Sequence, residues 1–380
     1  MITQTEQMSY RLSILNTQQQ KLTYQTSTQE KLQEGSDDSM LYSRLILVDE
    51  KVRTYEGLKS QIQKTQVQNN MADSSISEVK KILENIKEQL VKANTSTTTN
   101  DGLTAIASSI AGLKENLFQL ANTQVENEYV FAGSNSSIKP FEKDASGKIT
   151  YLGNSQLRKV AIEEGSYRER GITGFDMMTY ASSTAYRDED FTFKETDRII
   201  DQDGNEWKLN SPANNTLTKY DLNGNATTET ITPVTNDALT PPTYSARLPD
   251  VAGTKFEAKT NIFDLIDATT NALKKVDSNG DPISAEDSRT LVAKYQGEVD
   301  KAYDSVNIAH ADLGGKNKIF EISLERVSSK LTQFDILSRN LGSADLAQVA
   351  IESKALELTY TALYSTISKT NELSLVNFLK

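Results

Sequence analysis

Apolar side chains recur every three or four positions along most of the chain. Leu45, Val48, Val52, Tyr55 and Ile62 begin the pattern, with Lys59 in one of its slots, and Ile76, Val79, Leu83, Ile86, Leu90 and Ala93 continue it. After the polar break "NTSTTTNDG", the same spacing returns at Leu103, Ile106, Ile110, Leu113, Leu117 and Leu120. Such spacing lays one apolar stripe along a helix, as in a coiled-coil seam. The Thr-rich run Asn94 to Asp101 reads as a tight connection between antiparallel helices. A second helical block opens with "NIFDLIDATTNALKK" near Asn261. Beyond it, Val292, Tyr295, Val299, Ala302, Val306, Ala309 and Leu313 form a stripe. Phe320, Leu324, Val327, Leu331, Phe334 and Leu341 continue it in phase across Gly314-Gly315. This predicts one long helix with a weak point at the glycine pair.

The two ends of the chain carry poorer seams. Met8, Leu12, Leu15 and Leu22 keep a heptad, but Gln19 and Thr26 fill neighbouring slots. At the other end "NLGSADL" breaks the phase. A new register then runs through Leu346, Val349, Leu356, Tyr360, Leu363 and Ile367, with Ser353 among them. A lone helix gains little in water unless its apolar face is covered. The N-terminal helix is therefore expected to pack on the C-terminal one. In a lone copy the Leu356, Tyr360, Leu363 and Ile367 face is expected to have little cover.

Between the helical blocks the pattern changes to short alternating runs, "KITYLG", "KVAIEEG", "DFTFKE" and "RIIDQDGNEWKLN". Asp203-Gly204 and Asn223-Gly224 are hairpin signals, because a type I′ turn needs positive φ at both central positions. Residues 210–245 are rich in Thr, Asn and Pro and read as exposed β-loop surface, not core. The predicted fold is mainly α with an inserted β-rich region: a long antiparallel, coiled-coil-like helical rod, its terminal helices paired and a β domain at the tip. Three parts follow: 1–42 with 342–380 as the terminal-helix domain, 43–165 with 256–341 as the helical rod, and 166–255 as a variable β-rich outer domain.

Composition narrows the function. The 380 residues carry a formal charge of −11, which argues against nucleic acid, whose phosphates need a basic face. Only 37% of residues are hydrophobic, so thin helical layers fit better than one large globule. No apolar run reaches the roughly 18 residues of a membrane span, and the start lacks the pattern of a cleavable signal peptide. There is no cysteine, which excludes disulfides and thiolate chemistry, and one histidine, His310, without a partner at metal-ligand spacing. "DQDGNEW" and "DSNGDPISAED" place glycine fourth, where a calcium loop needs it sixth, and read as turns. "SDDS" reads as a helix cap, aspartate oxygens accepting from orphan helix N–H groups. No catalytic constellation, cofactor motif or metal site emerges.

The segment "LANTQVENEYVFAGSNSSIKPF" leads from helix to strand, with Asn122, Tyr129, Phe131, Gly133, Pro140 and Phe141 at its key positions. It resembles the exit segment of the flagellar hook-associated protein 3 family, the hook–filament junction proteins among bacterial flagellin relatives. "ITYLGNSQLRKVAIEEG" is similar to the strand pair that follows in that family, and "NIFDLIDATTNAL" to its return segment. "SADLAQVAIESKALELTYTALYSTISKTNELSLVNFLK" is similar to its terminal helix. "ITQTEQM" and "KLQEGSDDS" echo the family's start, with Ser39 where a proline is usual. The resemblance covers about 1–165 and 255–380.

It implies a structural, non-enzymatic, extracellular component of the flagellum, exported through the type III route. The implied partners are further copies in a ring, the first hook-associated protein, flagellin, and an export chaperone at the C-terminal helix. Met8, Leu12, Leu15, Leu22, Leu346, Val349, Leu356, Tyr360, Leu363 and Ile367 would form the assembly interface. A flagellin subunit, or a secreted enzyme on a coiled-coil stalk, are the alternatives.

Overall fold

A computed structural model describes residues 4–95, 98–210, 216–221, 225–236 and 242–378. Three helices come first: α1 (Gln4–Thr28), α2 (Ser39–Ala93) and α3 (Asn100–Ala121). Six short strands follow: β1 (Gln124–Val125), β2 (Glu128–Tyr129), β3 (Phe141–Lys143), β4 (Ile149–Tyr151), β5 (Lys159–Glu163) and β6 (Ser166–Glu169). After the one-turn α4 (Gly174–Met178) come β7 (Thr179–Tyr186), β8 (Asp190–Lys194), β9 (Arg198–Asp201), β10 (Glu206–Asn210) and β11 (Thr216–Tyr220). Then come β12 (Ala226–Ile231), β13 (Val234–Asn236), β14 (Thr243–Arg247) and β15 (Lys255–Asn261). The chain ends with α5 (Ile262–Leu273), α6 (Ala285–Gly342) and α7 (Leu346–Phe378). The expected mainly helical fold with an inserted β region is what forms. α6 runs unbroken through Gly314-Gly315, and Asn261 caps α5, its side chain accepting from Phe263 N.

The chain divides into two compact units, Met1–Ser60 with Leu324–Lys380, and Gln61–Ser323. In the first, α1 lies along α7, and the early part of α2 runs antiparallel to the last part of α6. Tyr55 stacks on Phe334 at 5.4 Å, and Ser338 donates to Asp49 at 2.6 Å. Asp38 caps α2 by accepting from Met40 N and Leu41 N, as "SDDS" predicted, while Asp37 accepts from Gln33 N and Glu34 N. The two helix breaks, 29–38 and 343–345, are tied together. Lys31 N donates to Gly342 O at 2.7 Å and Ala344 N to Gln29 O at 2.9 Å.

The second unit holds two separate cores. The helical core gathers Ile76, Leu83 and Leu90 of α2, Ile110 and Leu117 of α3, Phe263 and Ile266 of α5, and Val299, Val306 and Leu313 of α6. Those of α2, α3 and α6 are the predicted stripe positions. Across α2 and α6, Lys80 donates to Asn307 at 2.8 Å, Tyr303 to Glu84 at 2.8 Å, and Lys87 pairs with Asp300 at 2.5 Å, fixing an antiparallel register. His310 does find a carboxylate, Asp73 at 2.9 Å, but on the other helix, where the pair serves packing.

The β core gathers Phe191, Phe193, Trp207, Tyr244 and Phe256, and Leu217 as well. It lies in a six-stranded antiparallel sheet, ordered β12-β11-β10-β9-β15-β7, and a three-stranded one, β13-β14-β8. The reading of 210–245 as surface is therefore corrected at Leu217 and Tyr244, which β11 and β14 turn inward among the polar residues of the stretch. Asp203-Gly204 does join β9 to β10, but only Gly204 has positive φ (82°), and Gly204 N donates to Asp201 O at 3.0 Å. The turn is therefore a type I turn closed by a left-handed glycine, the longer hairpin solution, and not type I′. Asp201 spends its carboxylate on Asp203 N, Asn205 and Trp207 Nε1, which accounts for the acidic turn. Asn223-Gly224 lies outside the described residues.

The exit from helix to strand is built from the motif residues. Asn122 donates to Phe118 O at 3.0 Å and accepts from Phe141 N at 3.1 Å, so one amide ends α3 and anchors β3. Glu126 and Asn127 take φ of 50° and 65°, a tight turn between β1 and β2. Gly133, at φ 82°, sits where a Cβ would meet Asn154 O at 2.5 Å. Phe141 packs on Phe263 at 5.5 Å and on Tyr151 at 5.1 Å, joining exit and return segments. Glu128 accepts from Arg170 at 3.0 Å, Arg158 at 3.2 Å and Gln68 at 2.7 Å. Burial opposes its charge, but these donors prevail and hold its pKa at about 2.

Candidate assembly interface

α1 and α7 pair antiparallel, each burying its stronger apolar stripe against the other. Leu22, Val349 and Leu356 are buried together, with Leu15, Ala344 and Tyr360 packed against them. The tyrosine hydroxyl donates to Asn16 Oδ1 at 2.6 Å, so its ring lies in the seam while its tip is satisfied. At the end of the pair beside the tied breaks, Gln25 donates to Lys31 O at 2.8 Å. Thr26 turns its hydroxyl back onto Leu22 O at 2.7 Å, which explains how a polar residue is carried on this helix.

Of the ten residues singled out in the sequence, five meet in this cluster: Leu15, Leu22, Val349, Leu356 and Tyr360. Met8, Leu12, Leu363 and Ile367 are half-buried. Leu346 is exposed and does not join. The expectation of an uncovered C-terminal face is corrected at Leu356, which is only 8% exposed because α1 of the same chain covers it.

A second apolar set was missed. Ile351 and Leu358, seven residues apart on α7, are 71% and 64% exposed, while Tyr364, also exposed, stacks on Tyr360 beside the seam at 6.2 Å. Tyr10 and Ile14 of α1 are exposed too. The signal was in the sequence as a repeat offset from the stronger stripe, which took all the attention. The pair also leaves a groove of about 930 Å³ whose walls combine Leu15, Leu22, Val349 and Leu356 with Gln18 and Glu352. Among the described residues there is no group of three or more His, Asp or Glu placed to hold a metal ion. No helix is long and apolar enough to cross a membrane.

Residues 2–136 match the profile of the bacterial flagellin N-terminal helical region. That match covers about a third of the chain. That flagellin-like region takes in α1, α2, α3 and the exit hairpin through Ser136. The flagellar hook-associated protein 3 of Escherichia coli K12 is 27% identical over 187 residues, 48% of this chain and 58% of that protein. The chain thus spans somewhat over half the length of the curated relatives it matches. Among solved structures, hook-associated protein 3 of Legionella pneumophila superposes with a TM-score of 0.52 at 16% identity, covering 78% of this chain and 98% of its own. The FlgL protein of Xanthomonas campestris gives 0.52 at 15% identity, covering 76% and 98%. At such identities the structures speak to the fold, and the resemblance seen in the exit and terminal segments stands beside them.

Proposed function

We propose that the chain is a structural axial component of the bacterial flagellum, joining the hook to the flagellin filament. The observation that carries this reading is the apolar surface left after α1 and α7 have paired. Ile351, Leu358 and Tyr364 remain in solvent in a chain whose N-terminal third is flagellin-like. Each large side chain that a neighbouring copy covered would contribute roughly 1.5–3 kcal/mol. The seam residues that the pairing leaves half-buried or exposed, Met8, Leu12, Leu346, Leu363 and Ile367, form the assembly contact together with this second stripe, while Leu15, Leu22, Val349, Leu356 and Tyr360 hold the pair itself. Residues 1–42 with 342–380 make the inner layer, 43–165 with 256–341 the surrounding shell, and 166–255 the outer surface.

In this reading the protein is extracellular and leaves the cell unfolded through the flagellar type III apparatus. A ring of its own copies contacts the first hook-associated protein on one side and flagellin on the other, and an export chaperone holds the C-terminal helix beforehand. It performs no catalysis. The test is genetic. A strain lacking the gene should build hooks and shed flagellin into the medium, and the intact gene should restore filaments. Normal filaments in the deletion strain overturn the reading.

A further inference from the structure

Within the second unit α6 has two apolar faces. One is the core stripe. The other runs through Ile308, Ala311, Gly315, Ile319 and Ile322, and its isoleucines are 72%, 41% and 53% exposed. At its centre a Cβ on Gly314 or Gly315 would meet nothing within 4 Å. No neighbour within the chain therefore requires glycine there, although glycine weakens a helix. The gap opens into a cleft of about 900 Å³ walled by Gly315, Ile319, Phe320, Tyr167 and Arg168.

α2 carries the converse relief. Val67 and Met71, one turn apart, are 55% and 42% exposed. The Lys80–Asn307, Glu84–Tyr303 and Lys87–Asp300 contacts fix which positions of the two helices are level. By that register Met71 lies within one residue of the level of Gly315, Val67 within one of Ile319, and Ser74 within two of Ala311. The flanks are opposite in charge: Lys64 lies within two residues of the level of Glu321, and Lys81 within two of Asp304. Lys64, Lys81 and Glu321 are now held only in exposed pairs, with Glu126, Glu78 and Lys318, which exchange readily. Glu78 beside Ile308 is the one discordant match.

We propose that the outer face of α2 on one copy packs against the outer face of α6 on a second copy, Met71 entering the gap above Gly315. The occupant is a second copy because knob, gap and both charge pairs belong to the same chain at nearly the same levels. A rotation about an axis parallel to the helices brings all of them to within about 3 Å of register at once, two residues of helix rise. The two patches differ, so the contact is heterologous and closes into a ring when the rotation divides the circle. The inference rests on the reading that copies of the chain assemble, and it names where they touch.

The absence of cysteine gives a clean test on the full chain. Met71→Cys and Gly315→Cys proteins, mixed and oxidised at high concentration, should form the mixed 71–315 disulfide at least tenfold faster than a control mixture of Met71→Cys with Val251→Cys. A chain with both substitutions should give a ladder of oligomers. A Ser74→Cys, Ala311→Cys chain should also give a ladder, and adding Gly315→Leu to it should abolish that ladder without lowering the melting temperature, since replacing a helix-interior glycine in open space does not destabilise the helix. Mixed disulfide no faster than the control, or 71–71 and 315–315 products in its place, overturns the contact. The deletion test above is independent: restored filaments with no 71–315 capture would remove this contact and leave the flagellar role standing.

Discussion

Leu356→Ala isolates what the chain's own terminal pairing contributes. Leu356 is 8% exposed and packs with Leu22 and Val349. Truncation to alanine removes three carbons. At about 0.8 kcal/mol per buried methylene, that is roughly 2–2.5 kcal/mol. The groove of about 930 Å³ beside it admits water, so no closed cavity is left and the low end of the leucine-to-alanine range applies. The loss falls on the α1–α7 pair alone, because the helical core of the second unit contains neither helix. Amide exchange read by mass spectrometry on the purified monomer is the assay. If protection in α1 comes from pairing with α7, the variant's amides in residues 4–28 should exchange roughly 30- to 60-fold faster, at about 1.4 kcal/mol per tenfold. Amides of α3 should not change. Unchanged exchange in α1 would show that α7 does not hold it. Equal acceleration in α3 would show that the two cooperate as one body.

Three further outcomes test other parts. Glu128 has a folded pKa of about 2, below the ordinary 4.5, so its contribution to stability is present above about pH 4.5 and lost as pH falls through about 2. The melting temperature of Glu128→Gln should therefore lie below that of the parent at pH 6, with the gap closing by pH 2; a constant gap refutes the assignment. Gly133→Ala forces a side chain onto positive φ and against a backbone oxygen at 2.5 Å, and should cost about 2–4 kcal/mol in denaturant unfolding. Tyr186 and Lys255 face each other across β7 and β15, so replacing residues 187–254 by Asn-Gly closes a hairpin in register. The helical core should then melt within a few degrees of the parent; its collapse would show that the two cores depend on each other.

The long helices were legible because their stripes are dense: Ile76, Leu83 and Leu90 are buried, as spacing alone required. Pairing of the terminal helices was legible from the poverty of each seam. What the sequence concealed was partner choice and geometry. Covering Leu356 takes a contact over more than three hundred positions, and no local pattern reports it. His310 was read without a carboxylate because Asp73 is remote in sequence. The Asp203-Gly204 turn was mistyped because a dipeptide cannot distinguish a two-residue loop from a longer one with a single left-handed glycine. The exposed Ile351–Leu358 repeat was hidden by a stronger stripe in the same helix.

The tie between the two helix breaks has a consequence for the order of folding. Joining α1 to α7 directly closes a loop of about 320 residues, a chain-entropy cost of roughly 5 kcal/mol before any contact is made. Once residues 39–60 of α2 have zipped to residues 324–342 of α6, the ends are already side by side. Only the short breaks then separate the terminal helices, and the Lys31–Gly342 and Ala344–Gln29 bonds set their starting register. Terminal pairing is therefore the last event on the pathway and a fast one. In rapid-mixing refolding it should follow formation of the helical core without a slow phase of its own.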